Sequence, residues 1–150
     1  MKIYTIGFTK KSAETFFTLL KSNDVKLLLD TRLNNISQLA GFAKGKDLEY
    51  FCREIAGIDY IHDLRFAPND EILKLYREKE ISWKGYEERF IQLMKDRGSR
   101  ALVQSEYLGK LSQICIMCSE ELPDKCHRRL VAEYIQECFP ELEIEIVHLY

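Results

Sequence analysis

No apolar run in this chain approaches the roughly 20 residues needed to span a bilayer, so no membrane partner is expected. Charge of one sign is also missing. The 22 Lys and Arg residues are balanced by 24 Asp and Glu, for a formal net charge of −2. That balance argues against a broad electrostatic footprint for nucleic acid and leaves only a local basic cleft open. Only seven glycines are present and no glycine-rich phosphate loop; Gly7 stands alone, where a turn explains it equally well. No repeat, low-complexity tract or linker interrupts the chain, so residues 1–150 read as a single domain large enough for a sizeable core. A secretory leader is not expected either, because Met1 to Gly7 is too short and too β-like. The five cysteines, an odd number, therefore read as free thiols in a reducing cytoplasm.

What is present is an alternation of strand and helix signals. Short apolar runs at 2–6, 25–30, 58–61, 114–118 and 144–149 predict strands. Between them lie helical patterns. Ser12 can cap one carrying Ala13, Phe16, Phe17 and Leu20. Asp47 can cap the next, with Leu48, Phe51, Cys52 and Ile55, closed by Gly57. Asn69 or Asp70 starts a third and Ser82 a fourth; residues 99–112 lean helical in part, and Asp124 is placed as the cap of the last helix. The fold class that follows is α/β: a single-domain, mainly parallel sheet of about five strands with helices on both faces, Rossmann-like. Ligands of such sheets collect outside the carboxyl ends of the strands. That rule selects Gly7-Phe8-Thr9, Asp30-Thr31-Arg32 and Cys118-Ser119-Glu120.

The segment from Ile114 to Leu130 carries the most chemistry. It reads as an apolar strand, a short polar loop, and a helix opening on Cys126-His127-Arg128. With about 100° of rotation per helical residue, His127 falls on the apolar stripe of Leu130, Val131, Tyr134, Ile135 and Cys138. Cys126 and Arg128 fall on its shoulders, and Arg129 points away. The first turn of that helix offers free N–H groups to an anion and can favour the thiolate of Cys126. The competing reading is a packed Cys, a hydrogen-bonded core His and an Arg pairing with Glu120 or Asp30. Cys115 and Cys118 project to opposite faces of a strand and are not expected to act as a pair. Cys118, Cys126 and His127 have the residue types for zinc but not a familiar spacing, and neighbouring Cys and His rarely share one ion. No metal and no cofactor are therefore expected. The Cys-x5-Arg pattern of a thiol phosphatase is absent, since Asp124 and Ala132 stand six residues after the two cysteines. Asp30-Thr31-Arg32 is either an ion pair pinning a loop, or a general base or ribose ligand beside an anion clamp. Ser37, Gln38, Gly41 and Lys44 occupy the long loop behind it. His62 and His148 read as structural.

At these places the chain resembles the uncharacterised family known as domain of unknown function 488. The residues are Thr5-Ile6-Gly7, Asp30-Thr31-Arg32, Cys118-Ser119-Glu120 and Cys126-His127-Arg128, with Leu33 to Phe42 similar to one branch. Many members carry His-Ser after Thr-Ile-Gly, where this chain has Phe8-Thr9. The resemblance implies a fold and a site but no reaction.

The expectation is a small cytosolic enzyme acting on an anionic, phosphorylated or nucleotide-like ligand, by hydrolysis or group transfer. Asp30, Cys118, Glu120, Cys126 and His127 would be its catalytic groups. Thr5, Gly7, Thr9, Arg32, Ser37, Lys44 and Arg128 would hold the ligand. The alternative is a non-catalytic nucleic-acid-binding or regulatory module in which Cys-His-Arg is a structural staple. Oligomeric state is not legible.

Overall fold

The computed structural model describes residues 1–36 and 40–150. Five parallel strands form one sheet: β1 (Lys2–Gly7), β2 (Leu27–Asp30), β3 (Asp59–His62), β4 (Ile114–Cys118) and β5 (Glu145–Leu149). Their order is β3-β2-β4-β1-β5. Helices α1 (Ala13–Ser22), α2 (Gly45–Phe51), α3 (Asp70–Arg77), α4 (Trp83–Asp96), α5 (Ser99–Leu102) and α6 (His127–Cys138) join them.

The central strands are apolar throughout because both faces are covered. Leu27, Leu29, Ile114 and Ile116 pack with Ile72 of α3, Phe90 of α4 and Leu130 of α6. Leu28, Cys115 and Met117 turn to the opposite face, against Phe16 and Leu20 of α1 and Leu48 of α2. Burying each of these large side chains contributes on the order of 1.5–3 kcal/mol, so the inner strands form a rigid base for the loops at their carboxyl ends. None of the described helices is long and apolar enough to cross a membrane.

Three of the six described helix starts lie where capping chemistry puts them. The side chains of Ser12, Asn69 and Ser82 accept from Thr15, Ile72 and Gly85 N–H groups. Gly57, at φ +61°, closes the α2 segment. Two predicted caps are corrected. Asp47 sits inside the first turn of α2, behind Lys44 at the cap position. Asp124 does not cap α6; Cys126 occupies that position, without a side-chain cap bond. Residues 99–113 are helical throughout, but the pitch changes from α through a wide turn at Val103–Tyr107 to a tight 3-10 turn at Leu108–Gln113.

Strand order defines the crevice. β2 leads outward to β3 on one side, whereas β4 leads past β1 to β5 on the other. Adjacent strands whose connections diverge leave a gap at their carboxyl ends, and here it falls between β2 and β4.

Candidate active site at the carboxyl edge of the sheet

A cleft of about 500 Å³ opens at that gap. Arg32 and Leu33 line it from beyond β2, Cys118 to Glu120 from the end of β4, and Cys126 and His127 from the start of α6. Tyr76 and Arg77 of α3 and Trp83 and Tyr86 of α4 form the opposite wall.

His127 anchors the floor. Its Nε2 lies 2.8 Å from the Thr31 carbonyl oxygen and 3.2 Å from Thr31 Oγ1. A carbonyl can only accept, and the Thr31 hydroxyl already donates to Met117 O at 2.8 Å. Nε2 is therefore the protonated donor, and in the neutral ring the Nδ1 lone pair is left facing Cys118 Sγ, 3.5 Å away. Thr31 holds this position because its N–H also bonds Met117 O, continuing the β2–β4 ladder one residue past the strand.

Cys118 is 7% exposed and stands at the last position of β4, on the α6 face. A hydrogen bond with Cys126 lowers its pKa; burial opposes this, and the Ser119 N–H and the charge of Arg128 reinforce it. Cys126 moves the other way: burial, then its contact with Cys118, raises it well above the ordinary thiol range. Their contact thus drives the two thiols in opposite directions. The thiol biased toward ionisation is that of Cys118, not of the Cys126 that the helix-terminus argument favoured, because burial dominates at Cys126. Cys115, buried on the other face, has its thiol pushed upward and plays no part in this cluster.

Several predicted site residues lie elsewhere. Asp30 is fully buried, and strand alternation turns it with Leu28 to the α2 face. There Arg32 Nε and Nη2 grip it at 2.9 and 2.7 Å, and Tyr60 donates to it at 2.6 Å. It is an ion-pair anchor rather than a cleft base. Arg128 is also fully buried and lies outside the cleft lining. Its guanidinium donates to the carbonyl oxygens of Glu120 and Glu121 and to Cys126 Sγ, stapling the β4–α6 loop. Gly7 permits this staple: a Cβ there would stand 1.7 Å from Glu120 O. So Gly7 serves close backbone packing and not a phosphate cradle. Thr5 is buried against His148, and Thr9 clamps Ser119 O at 2.7 Å. Lys44 begins α2, away from the cleft residues. Ser37 and Gln38 lie outside the described residues. Arg129 is not idle on the surface, since it pairs with Glu87 and Glu133 and ties α6 to α4.

Other contributors were not singled out from sequence. Thr31, the middle residue of Asp-x-Arg, sets the tautomer of His127. Trp83 and Tyr86 stack at 4.7 Å along the cleft wall, Tyr86 from within the core cluster. Tyr86 continues the stack to Phe90, whose ring lies 5.6 Å from that of His127. Arg77 and Lys125 add cationic groups and Asp70 an acidic one.

A family model described as Domain of unknown function DUF488 matches residues 12–135. The chain belongs to this family. The match spans Asp30-Thr31-Arg32 and the whole Cys118–Arg128 region, and begins after Thr5-Ile6-Gly7. No curated protein and no solved structure matches the chain.

Proposed function

We propose that this protein is an enzyme that binds an anionic, nucleotide-like ligand in the β2–β4 cleft and carries out hydrolysis or group transfer on it. The observation that carries this reading is the thiol–imidazole pair, Cys118 with His127, on the floor of a cleft walled by stacked aromatic rings. A packed structural cysteine needs no orienting imidazole, and a structural histidine needs no cleft.

The chemistry of the walls supports the ligand class. Trp83, backed by the buried Tyr86, offers its outer π-face to a heteroaromatic ring. Arg77 and Lys125 offer charge to a phosphate, and the α6 N-terminus opens on the same space. Arg32 lines the cleft, and its buried Nη1 finds no hydrogen-bond partner among the described residues. Glu120, exposed on the rim, is the carboxylate available for proton transfer. The mixed charge of this lining favours a small ligand over a nucleic-acid groove, where cations would dominate. Five free thiols support a reducing, cytoplasmic setting.

The test is a binding screen of nucleosides and nucleoside mono-, di- and triphosphates by thermal shift, followed by calorimetry. A nucleotide should raise the melting temperature and slow alkylation of Cys118, with Trp83→Ala weakening both effects. If no nucleotide or sugar phosphate binds, while duplex or single-stranded nucleic acid binds with a steep salt dependence, the enzyme reading fails.

A further inference from the structure

We infer that Cys118, Cys126 and His127 form a three-ligand site for zinc or a similar soft divalent cation, with its fourth position open to the cleft. The inference deepens the reading above by naming what holds the reacting oxygen, and it shares that cleft.

The geometry carries it. The two Sγ atoms and a ring nitrogen of His127 all lie within 4.8 Å of one another, and all three residues are buried while lining the cleft. A tetrahedral zinc with a sulfur at 2.3 Å and a nitrogen at about 2.05 Å sets an S···N edge of about 3.6 Å. Cys118 Sγ and His127 Nδ1 stand 3.5 Å apart. The objection from spacing, that adjacent Cys and His do not share an ion, loses its force here. Cys126 is at the cap, with φ −139° and ψ 134°, so the helical rotation that separates neighbours does not apply to it.

The surroundings of two of the ligands point the same way. His127 Nε2 donates to the Thr31 carbonyl, which fixes the tautomer that presents Nδ1. Arg128 Nη1 reaches Cys126 Sγ at 3.4 Å. His127 and Cys126 thus each have a partner that suits the metal-bound form. Two thiolates and one dication sum to zero charge, so the buried site would carry no net charge once filled. Three protein ligands with an open position are the arrangement of a catalytic rather than a structural zinc centre. No fourth Cys, His, Asp or Glu joins the group among the described residues. The ligand class for the open position is water or an oxygen of the substrate.

The experiment uses the full chain, purified without a polyhistidine tag or chelator. Elemental analysis should find about one zinc per chain, as expected of a three-ligand centre. After chelation, cobalt(II) should restore the visible bands of a tetrahedral site together with thiolate-to-cobalt charge transfer in the near ultraviolet. Cys126→Ser and His127→Gln should each weaken zinc binding by at least about tenfold. Cys138→Ser, at a half-buried cysteine outside the cluster, should change neither stoichiometry nor spectrum. If a ligand variant fails to fold, a zinc-dependent rise in wild-type melting temperature, not matched by magnesium, supplies the same decision. Cobalt without thiolate bands, or bands that persist in Cys126→Ser, would overturn the site. Nucleotide binding by a chain that takes up no metal would sink this inference and leave the cleft reading standing. Metal uptake without any cleft ligand would do the reverse.

Discussion

Two Asp-x-Arg clamps stand at the ends of neighbouring strands, and they are close to geometric twins. In Asp30-Thr31-Arg32 the Arg Nε and Nη2 reach the carboxylate at 2.9 and 2.7 Å; in Asp63-Leu64-Arg65 the same atoms reach at 2.9 and 2.8 Å. Each aspartate also receives a tyrosine hydroxyl, from Tyr60 at 2.6 Å and from Tyr107 at 2.7 Å. They differ in what lies beyond the pair. Arg65 is half exposed and turns its free edge to Glu106. Arg32 is 2% exposed, gives Nη2 to Ala43 O as well, and keeps Nη1 without a partner among the described residues. The motif is therefore a backbone-pinning device that this fold uses twice. Only the inner copy is buried next to a cleft-lining residue and keeps a donor unpaired among the described residues.

The largest expected effect breaks that comparison at its base. Arg32→Ala strands the fully buried Asp30 carboxylate and should destabilise the fold by about 3–5 kcal/mol. Arg65→Ala removes a half-exposed guanidinium and lets water reach the 5%-exposed Asp63, so it should cost less, about 1–3 kcal/mol. Urea denaturation of both variants decides it; equal losses would mean that burial does not distinguish the clamps.

A smaller effect sharpens the functional half. Trp83→Ala removes the outer ring of the cleft stack and should weaken a nucleotide by about 1–3 kcal/mol, with folding stability little changed. Calorimetry and denaturation on one preparation separate the two readouts. Unaltered affinity would take the aromatic wall out of the ligand site.

The smallest effect is the acid response of the outer clamp. Burial alone would raise the Asp63 carboxyl, but hydrogen bonds from Arg65 and Tyr107 outweigh it and hold Asp63 below its ordinary value. A depressed carboxyl adds stability that is present above the unfolded value of about 3.9 and lost as pH falls through the folded one. Arg65→Ala should flatten the loss of stability below about pH 4. An unchanged slope would show that the acid response originates elsewhere.

How much of this was legible in the sequence follows from range of interaction. Apolar runs and caps are local, so the five parallel strands and the Ser12 and Ser82 caps could be read directly. The convergence of Cys118, Cys126 and His127 could be read too, because one strand end and one helix start are separated by a short loop. Three things could not. Strand alternation at the last residue of β2 sends Asp30 to the far face. The Arg128 staple depends on Gly7 admitting the Glu120 backbone, a contact between residues 113 apart in the chain. And Trp83 and Tyr86 share the pattern of core residues; only the placement of α4 against the strand ends makes them a wall. Thr31 acts through its backbone carbonyl, which no side-chain motif records.

The most direct measurement of the central claim, that the β2–β4 cleft and not the motif as such is the working site, is nucleotide affinity in two conservative variants. Arg32→Lys and Arg65→Lys each keep a cation beside the aspartate but lose the planar fork. With the tightest nucleotide from the screen, calorimetry should show a loss of about tenfold or more for Arg32→Lys, the value of one charged hydrogen bond. Arg65→Lys should bind as the unaltered chain does. Equal affinities in the two variants, or a larger loss at Arg65, would contradict the account.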